Sequence, residues 1–260
     1  VTTETTGDDV RGRVIIITGA GRGIGRGIAH HLARSGATIS IGEYVPRRLE
    51  RVIGELSELG SACLGRLCDV RHRADIDQLV SATVDRFGRV DAIINNAVTY
   101  AGPVPLSDIT DEQMDDVYTS GVKAALWGMQ SVYPHMRAAG WGRIVNVGSG
   151  AGVIGFQGFG AYAAAKEAIR ALTRTAAREW AAEGIVVNCY CPASYEIRED
   201  RTTNSYLAAA DARFLNQHPT GRIGDAEHDI GPVVRFLCSD ACRYLTGETL
   251  MVDGGAYTSA

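Results

Sequence analysis

Tyr162 and Lys166 stand four residues apart in an alanine-rich stretch, Tyr-Ala-Ala-Ala-Lys. On a helix that spacing puts both side chains on one face. A tyrosine with an ordinary pKa of about 10 moves protons poorly near neutrality. A neighbouring ammonium favours the phenolate and brings it toward a working range. The spacing equally fits an exposed pair on a surface helix, so it does not assign the role alone. Ser149 lies in a Gly-Ser-Gly turn after the run Ile144-Val-Asn-Val147, where its hydroxyl can bond a substrate oxygen or simply serve the turn. A second chemistry is anion binding. Gly19, Gly23 and Gly25 fall in Thr18-Gly-Ala-Gly-Arg-Gly-Ile-Gly25, together with Arg22 and Ile24. Such a turn between strand and helix lets a pyrophosphate approach the free N–H groups of a helix N-terminus. Glu43 follows at the end of the next strand, where a carboxylate can accept both hydroxyls of a ribose and repel a 2′-phosphate.

These side chains need a scaffold, and hydropathy supplies one. The β-branched run 14–18 ends abruptly in glycines and reads as a buried parallel strand. Helical periodicity over 23–35 closes at Gly36, and strand 37–41 and helix 47–59 follow. The alternation continues with strand 62–68, helix 74–87, strand 90–94, a long helix at about 111–139 and strand 143–147. Helix 158–183, strand 185–191, helix 226–239 and strand 249–252 complete it. Strands separated by helices form βαβ units, so the expected fold class is α/β, a single doubly wound parallel sheet with helices on both faces. A polar, flexible N-terminus is expected over 1–10 and one domain over 11–260. The long irregular segment at about 193–221 is expected to act as a lid or substrate loop. Within it, Tyr195, Tyr206, Leu207, Phe214 and Leu215 either close over an apolar substrate or pack onto the protein.

The chain has 260 residues, 45% of them hydrophobic, which is enough for a full core and excludes a disordered tail or fibre. Lys and Arg number 26 against 30 Asp and Glu, with no basic block, so nucleic acid is not an expected partner. No apolar run reaches the ~20 residues of a membrane span. The polar, acidic first nine residues are unlike a targeting peptide. The six cysteines lie mostly in apolar stretches without a set of four metal ligands, so buried reduced thiols and no metal are expected. The expected location is the cytoplasm.

Several separated motifs now join the glycine turn: Cys68-Asp-Val70 after the third strand, Asn95-Asn-Ala97 after the fourth, Tyr162-Ala-Ala-Ala-Lys166, and Val252-Asp-Gly-Gly255 near the C-terminus. With them the chain resembles the short-chain dehydrogenase/reductase family, in its form with a T-G-x-x-x-G-x-G turn, over about residues 11–255. The resemblance implies an NAD(P)-dependent oxidoreductase moving hydride between nicotinamide and a secondary alcohol or ketone. It implies Tyr162 as general acid and base, Lys166 lowering its pKa and holding the nicotinamide ribose, and Ser149, thirteen residues before Tyr162, bonding the substrate oxygen. It places Gly19, Arg22, Gly23, Ile24, Gly25, Glu43, Asp69, Val70, Asn96, Ala97, Tyr162, Lys166 and Pro192 around the cofactor, with Asp69 at the adenine amino group. Glu43 favours NAD; Arg22, a cation able to grip a 2′-phosphate or pair with Glu43, keeps NADP open. Partners implied are a small alcohol or ketone and further copies of the chain, as a tetramer or dimer.

Three positions depart from the family pattern. Gly121 stands where the family's asparagine supports a water on the lysine side of the proton relay; its loss either slows the relay or leaves it to another water or to Ser120. Ile197 replaces a threonine that bonds the nicotinamide carboxamide. Val98 replaces the glycine of N-N-A-G and adds bulk beside the nicotinamide. These departures sustain an alternative, a cofactor-binding protein with weak or no catalysis.

Overall fold

In the computed structural model, residues 9–100, 102–194 and 218–257 are described. Seven parallel strands form one sheet in the order β3-β2-β1-β4-β5-β6-β7. They are β1 Val14–Thr18, β2 Thr38–Glu43, β3 Cys63–Leu67, β4 Ala92–Asn95, β5 Gly142–Val147, β6 Ile185–Pro192 and β7 Thr249–Val252. The helices are α1 Gly23–Arg34, α2 Pro46–Glu58, α3 Arg73–Phe87, α4 Asp111–Val117, α5 Ala124–Ala139, α6 Gly150–Ile154, α7 Gly160–Trp180 and α8 Gly231–Leu237.

The central strands are apolar on both faces because both faces are covered. On β1, Ile15 and Ile17 join the core beneath α1, α2 and α8, whereas Ile16 joins the core beneath α3, α5 and α7. Parallel register pairs Ile17 with Ile94 on one side and Thr18 with Gly42 on the other. The chain runs outward from β1 to β3, then crosses back to β4. Strand order therefore reverses between β1 and β4, and a crevice opens at their carboxyl ends. The glycine turn after β1 and Asn96-Ala97 after β4 both border it.

Two local features differ from the sequence expectation. The helix expected at about 111–139 is interrupted by a π-helical turn, Tyr118–Lys123, between α4 and α5. The Ser120 hydroxyl donates to the Asp116 carbonyl one turn back at 2.7 Å, a back-bond that bends helices. The turn after Ser149 is itself helical: Ser149 Oγ caps α6 by accepting from the Ala151 amide at 3.2 Å. Five of the six cysteines are buried and Cys63 is half-buried, all as free thiols; burial pushes Cys68 up to about 12. No described helix is long and apolar enough to cross a membrane. Among the described residues, no group of three or more His, Cys, Asp or Glu is arranged to hold a metal ion. The loop residues Tyr195, Ile197, Tyr206, Leu207, Phe214 and Leu215 lie outside the described residues, as do residues 1–8 of the expected N-terminal tail.

Candidate active site

The glycine turn is built by close backbone approach. Gly19 has φ +68°, and a Cβ there would lie 3.0 Å from Ala97; a Cβ on Gly25 would lie 2.6 Å from Asn96 Nδ2. Gly23, with φ +54°, faces open space. The N-terminus of α1 begins there, and its N-cap, Arg22, makes no side-chain cap bond. A left-handed glycine under open space at an uncapped N-terminus fits the phosphates of a dinucleotide.

The Asn96 amide donates to the Thr18 and Gly19 carbonyls at 2.9 and 3.2 Å, so its side chain fastens the turn. The Thr18 hydroxyl accepts from the backbone of Asn96 and Ala97, both at 3.1 Å. Asn95 points the other way, into the fold, donating to Asn146 at 2.8 Å; Asn146 in turn donates to Thr173 at 2.9 Å.

Glu43 is only 3% exposed. One carboxylate oxygen accepts from the Gly21 amide at 3.0 Å and the other from Val45 at 3.0 Å. Arg22 is exposed, and a different arginine, Arg51, donates to the Gly21 carbonyl at 2.7 Å. Asp69 sits beyond β3 and receives Arg71 through both carboxylate oxygens, at 2.6–3.1 Å. That guanidinium holds the Asp69 carboxyl below the usual carboxylate range. Val70 beside it is half-buried, as is Ile24 on α1. Pro192 ends β6 opposite Val252, across the crevice from the turn.

Tyr162 and Lys166 share a face of α7. Lys166 is 2% exposed, its Nζ donates to the Val147 carbonyl at 2.7 Å, and it lies 5.5 Å from the Tyr162 ring centroid. Val147 ends β5, and Ser149 follows two residues later. One hydrogen bond thus joins the lysine to the strand end, and the serine follows it in the chain. Ser149 spends a lone pair on its cap bond and keeps an O–H to donate.

Ser120, the expected candidate to replace the relay asparagine, spends its hydroxyl on two backbone partners. Its hydroxyl proton goes to Asp116, while its oxygen accepts from the Thr99 amide at 3.0 Å. It ties the loop after β4 to the π-helical turn. At Gly121 a Cβ would lie 3.4 Å from Val98 Cγ2 and 3.9 Å from Ile169 Cδ1. The bulk of Val98 therefore faces the side chain that Gly121 lacks, and two of the departures compensate one another.

An aromatic group next to Tyr162 was not singled out from sequence. Tyr100 stacks on Phe159 at 5.0 Å and meets Tyr162 edge-on at 5.4 Å. Phe156 contacts Phe159 at 5.8 Å and, also at 5.8 Å, the ring of Tyr257. Asp253 accepts from the backbone of Gly255 and Tyr257 at 3.0 and 2.9 Å, so the Asp-Gly-Gly turn seats Tyr257 beside Gly150. The available signal was the density of aromatics in Phe156-Gln-Gly-Phe159 and Tyr100, but their meeting depends on segments far apart in sequence.

Comparison with known proteins agrees with this geometry. A family model described as short chain dehydrogenase matches residues 13–205. The 12α-hydroxysteroid dehydrogenase of a Clostridium species is 38% identical over 251 residues, covering 94% of this chain and 96% of its own. The crystal structure of levodione reductase superposes with a TM-score of 0.88 at 32% identity, over 94% of this chain and 96% of that one. The structure of NAD+-bound xylitol dehydrogenase gives 0.86 at 30% identity, over 95% and 99%.

Proposed function

The chain belongs to the short-chain dehydrogenase/reductase family, and from that premise we propose that it is an NAD(P)-dependent oxidoreductase interconverting a secondary alcohol and a ketone. The observation that carries the reading is Lys166, bonded to the Val147 carbonyl at the end of β5 and 5.5 Å from the Tyr162 ring centroid, with Ser149 two residues beyond Val147 in the chain.

Gly19, Gly23 and Gly25 would hold the pyrophosphate at the start of α1, with Arg22 and Ile24 at its edge. Glu43 would exchange its bonds to the Gly21 and Val45 amides for the adenosine ribose hydroxyls, which favours NAD over NADP. Asp69 and Val70 would meet the adenine, Asp69 sharing its carboxylate with Arg71. Asn96 and Ala97 would shape the floor, and Pro192 the nicotinamide end. When bound, the nicotinamide supplies hydride exchange with the carbonyl carbon.

The remaining chemistry belongs to the protein. In reduction the Tyr162 hydroxyl gives its proton to the substrate oxygen as that oxygen gains negative charge; in oxidation the phenolate takes it back. The Ser149 hydroxyl donates to the same oxygen and fixes its position. The Lys166 side chain, held by the Val147 carbonyl and lying 5.5 Å from the Tyr162 ring centroid, would bind the nicotinamide ribose and position the phenol.

Titration with NAD(H) and NADP(H), then an alcohol and ketone panel read at the reduced-nicotinamide absorbance, tests the reading. Binding with turnover supports it, with NAD bound more tightly. Binding without turnover of any alcohol or ketone favours the second reading, a cofactor-binding protein, for which Gly121 is the specific observation. The cytoplasm and a homo-oligomer, tetramer or dimer, complete the proposal.

A further inference from the structure

Tyr162 lines a cavity of about 270 Å³ between α4, the start of α7 and the loop after β4. Its walls are largely apolar: Tyr100, Val104, Ile109, Val117 and Phe159. Tyr100 and Phe159 lie nearly parallel, 11° apart, and both meet Tyr162 edge-on, with Phe159 at 6.3 Å. The three rings form a slab that ends at the proton-transferring residue. Tyr100 stays 41% exposed despite two ring contacts, so ring surface remains uncovered by the described chain. Burial, with the nearby Tyr162 adding to it, pushes the Tyr100 phenol up to about 12, so it stays neutral at physiological pH.

The cavity is half open, so its enclosed volume sets what lies beside Tyr162 rather than the size of the whole substrate. An apolar cavity of roughly 150 Å³ accepts one benzene ring, so about two rings fit against the slab. Charge bears on the occupant as well. Among the described residues the charged lining is Glu112 and Asp116, with no lysine or arginine; Arg71 approaches Asp116 at 3.6 Å. A carboxylate or phosphate placed there would meet like charge. Flat and alicyclic rings gain from an aromatic platform.

We propose that the substrate is a cyclic ketone or secondary alcohol, uncharged where it lies in this cavity, and that Tyr100 selects it by stacking the ring beside Tyr162. The proposal rests on the oxidoreductase reading. The substrate oxygen reaches Tyr162 and Ser149 while the rings lie against Tyr100 and Phe159. Ser120 sets this platform indirectly, since its bond to the Thr99 amide fixes the residue next to Tyr100.

The test compares kcat and KM for cyclohexanone, decalone and the open-chain octanone, using the full chain and whichever reduced coenzyme it binds. The expected result is kcat/KM for cyclohexanone or decalone about tenfold above octanone. Tyr100→Ala should raise KM for decalone about five- to tenfold with little change in kcat, because stacking is lost while the proton donor stays. Tyr100→Phe keeps the ring and should lose no more than about twofold, which separates stacking from misfolding. A preference for octanone, or an unchanged KM in Tyr100→Ala, overturns the assignment while leaving the oxidoreductase reading intact. If the unaltered chain reduces none of the ketones and oxidises no alcohol with either coenzyme, both fall.

Discussion

Replacing Gly121 by asparagine, the residue the family pattern has there, exposes how Val98 and Gly121 depend on one another. The position is buried, and a Cβ would sit 3.4 Å from Val98 and 3.9 Å from Ile169, both ordinary contacts. Alanine therefore fits, and relief of the glycine penalty inside a helix should stabilise the chain by about 0.5–1 kcal/mol. Asparagine adds three heavy atoms beyond that Cβ, into space bounded by Val98 and Ile169. Such overpacking costs about 1–3 kcal/mol, more than the backbone gain returns. Val98→Ala combined with Gly121→Asn should recover part of the loss. Urea unfolding of the unaltered chain, both single variants and the double variant gives the coupling. It should favour the double variant by about 0.5–3 kcal/mol, the range for residues in contact. Gly121→Ala should raise the Tm by a few degrees, about 2–4 °C per kcal/mol for a chain of this size. Strict additivity, or a Gly121→Asn variant as stable as the unaltered chain, would refute the compensation.

Three further substitutions probe other parts of the site. Glu43→Ala should weaken NAD binding and improve NADP relative to it, measured by titration with both. A protein that prefers NADP before any substitution would instead make Arg22 the determinant. Lys166→Ala should reduce both turnover and cofactor affinity, since the proposal gives one side chain both Tyr162 and the ribose; unchanged affinity would remove the ribose contact. In Gly150→Ala the new methyl would overlap the Tyr257 ring. A Tm drop equivalent to about 1–3 kcal/mol of overpacking is expected, and an unchanged Tm would show that Tyr257 is not seated on the turn after Ser149.

The sheet was legible because buried parallel strands read as short apolar runs ended by glycine. Ile15, Ile16 and Ile17 show why, being shared between two cores on opposite faces. The crevice followed from the alternation of elements. The short helix Gly150–Ile154 was hidden, since five residues rich in glycine carry no periodicity and depend on the Ser149 cap. The π-helical turn shows in sequence only as Gly121 within the long helix; the Ser120 to Asp116 bond that accompanies it is one no spacing rule reports. Within the candidate site, the motif residues could be named from sequence but the direction of their side chains could not. Asn95 and Asn96 are adjacent, yet one braces the sheet and the other fastens the glycine turn. The meeting of Tyr100, Phe159 and Tyr162 requires the folded contact between two loops. So does the pairing of Val98 with Gly121.

Tyr162→Phe tests the central claim most directly, because it removes one hydroxyl and leaves the ring contacts with Tyr100 and Phe159 in place. Cofactor affinity and turnover are measured on the same preparations, with the ketone or alcohol the unaltered chain uses best. The account predicts cofactor affinity close to the unaltered value and a fall in kcat of about 100- to 10,000-fold, the contribution of a positioned proton donor. Turnover near the unaltered rate in Tyr162→Phe would contradict it.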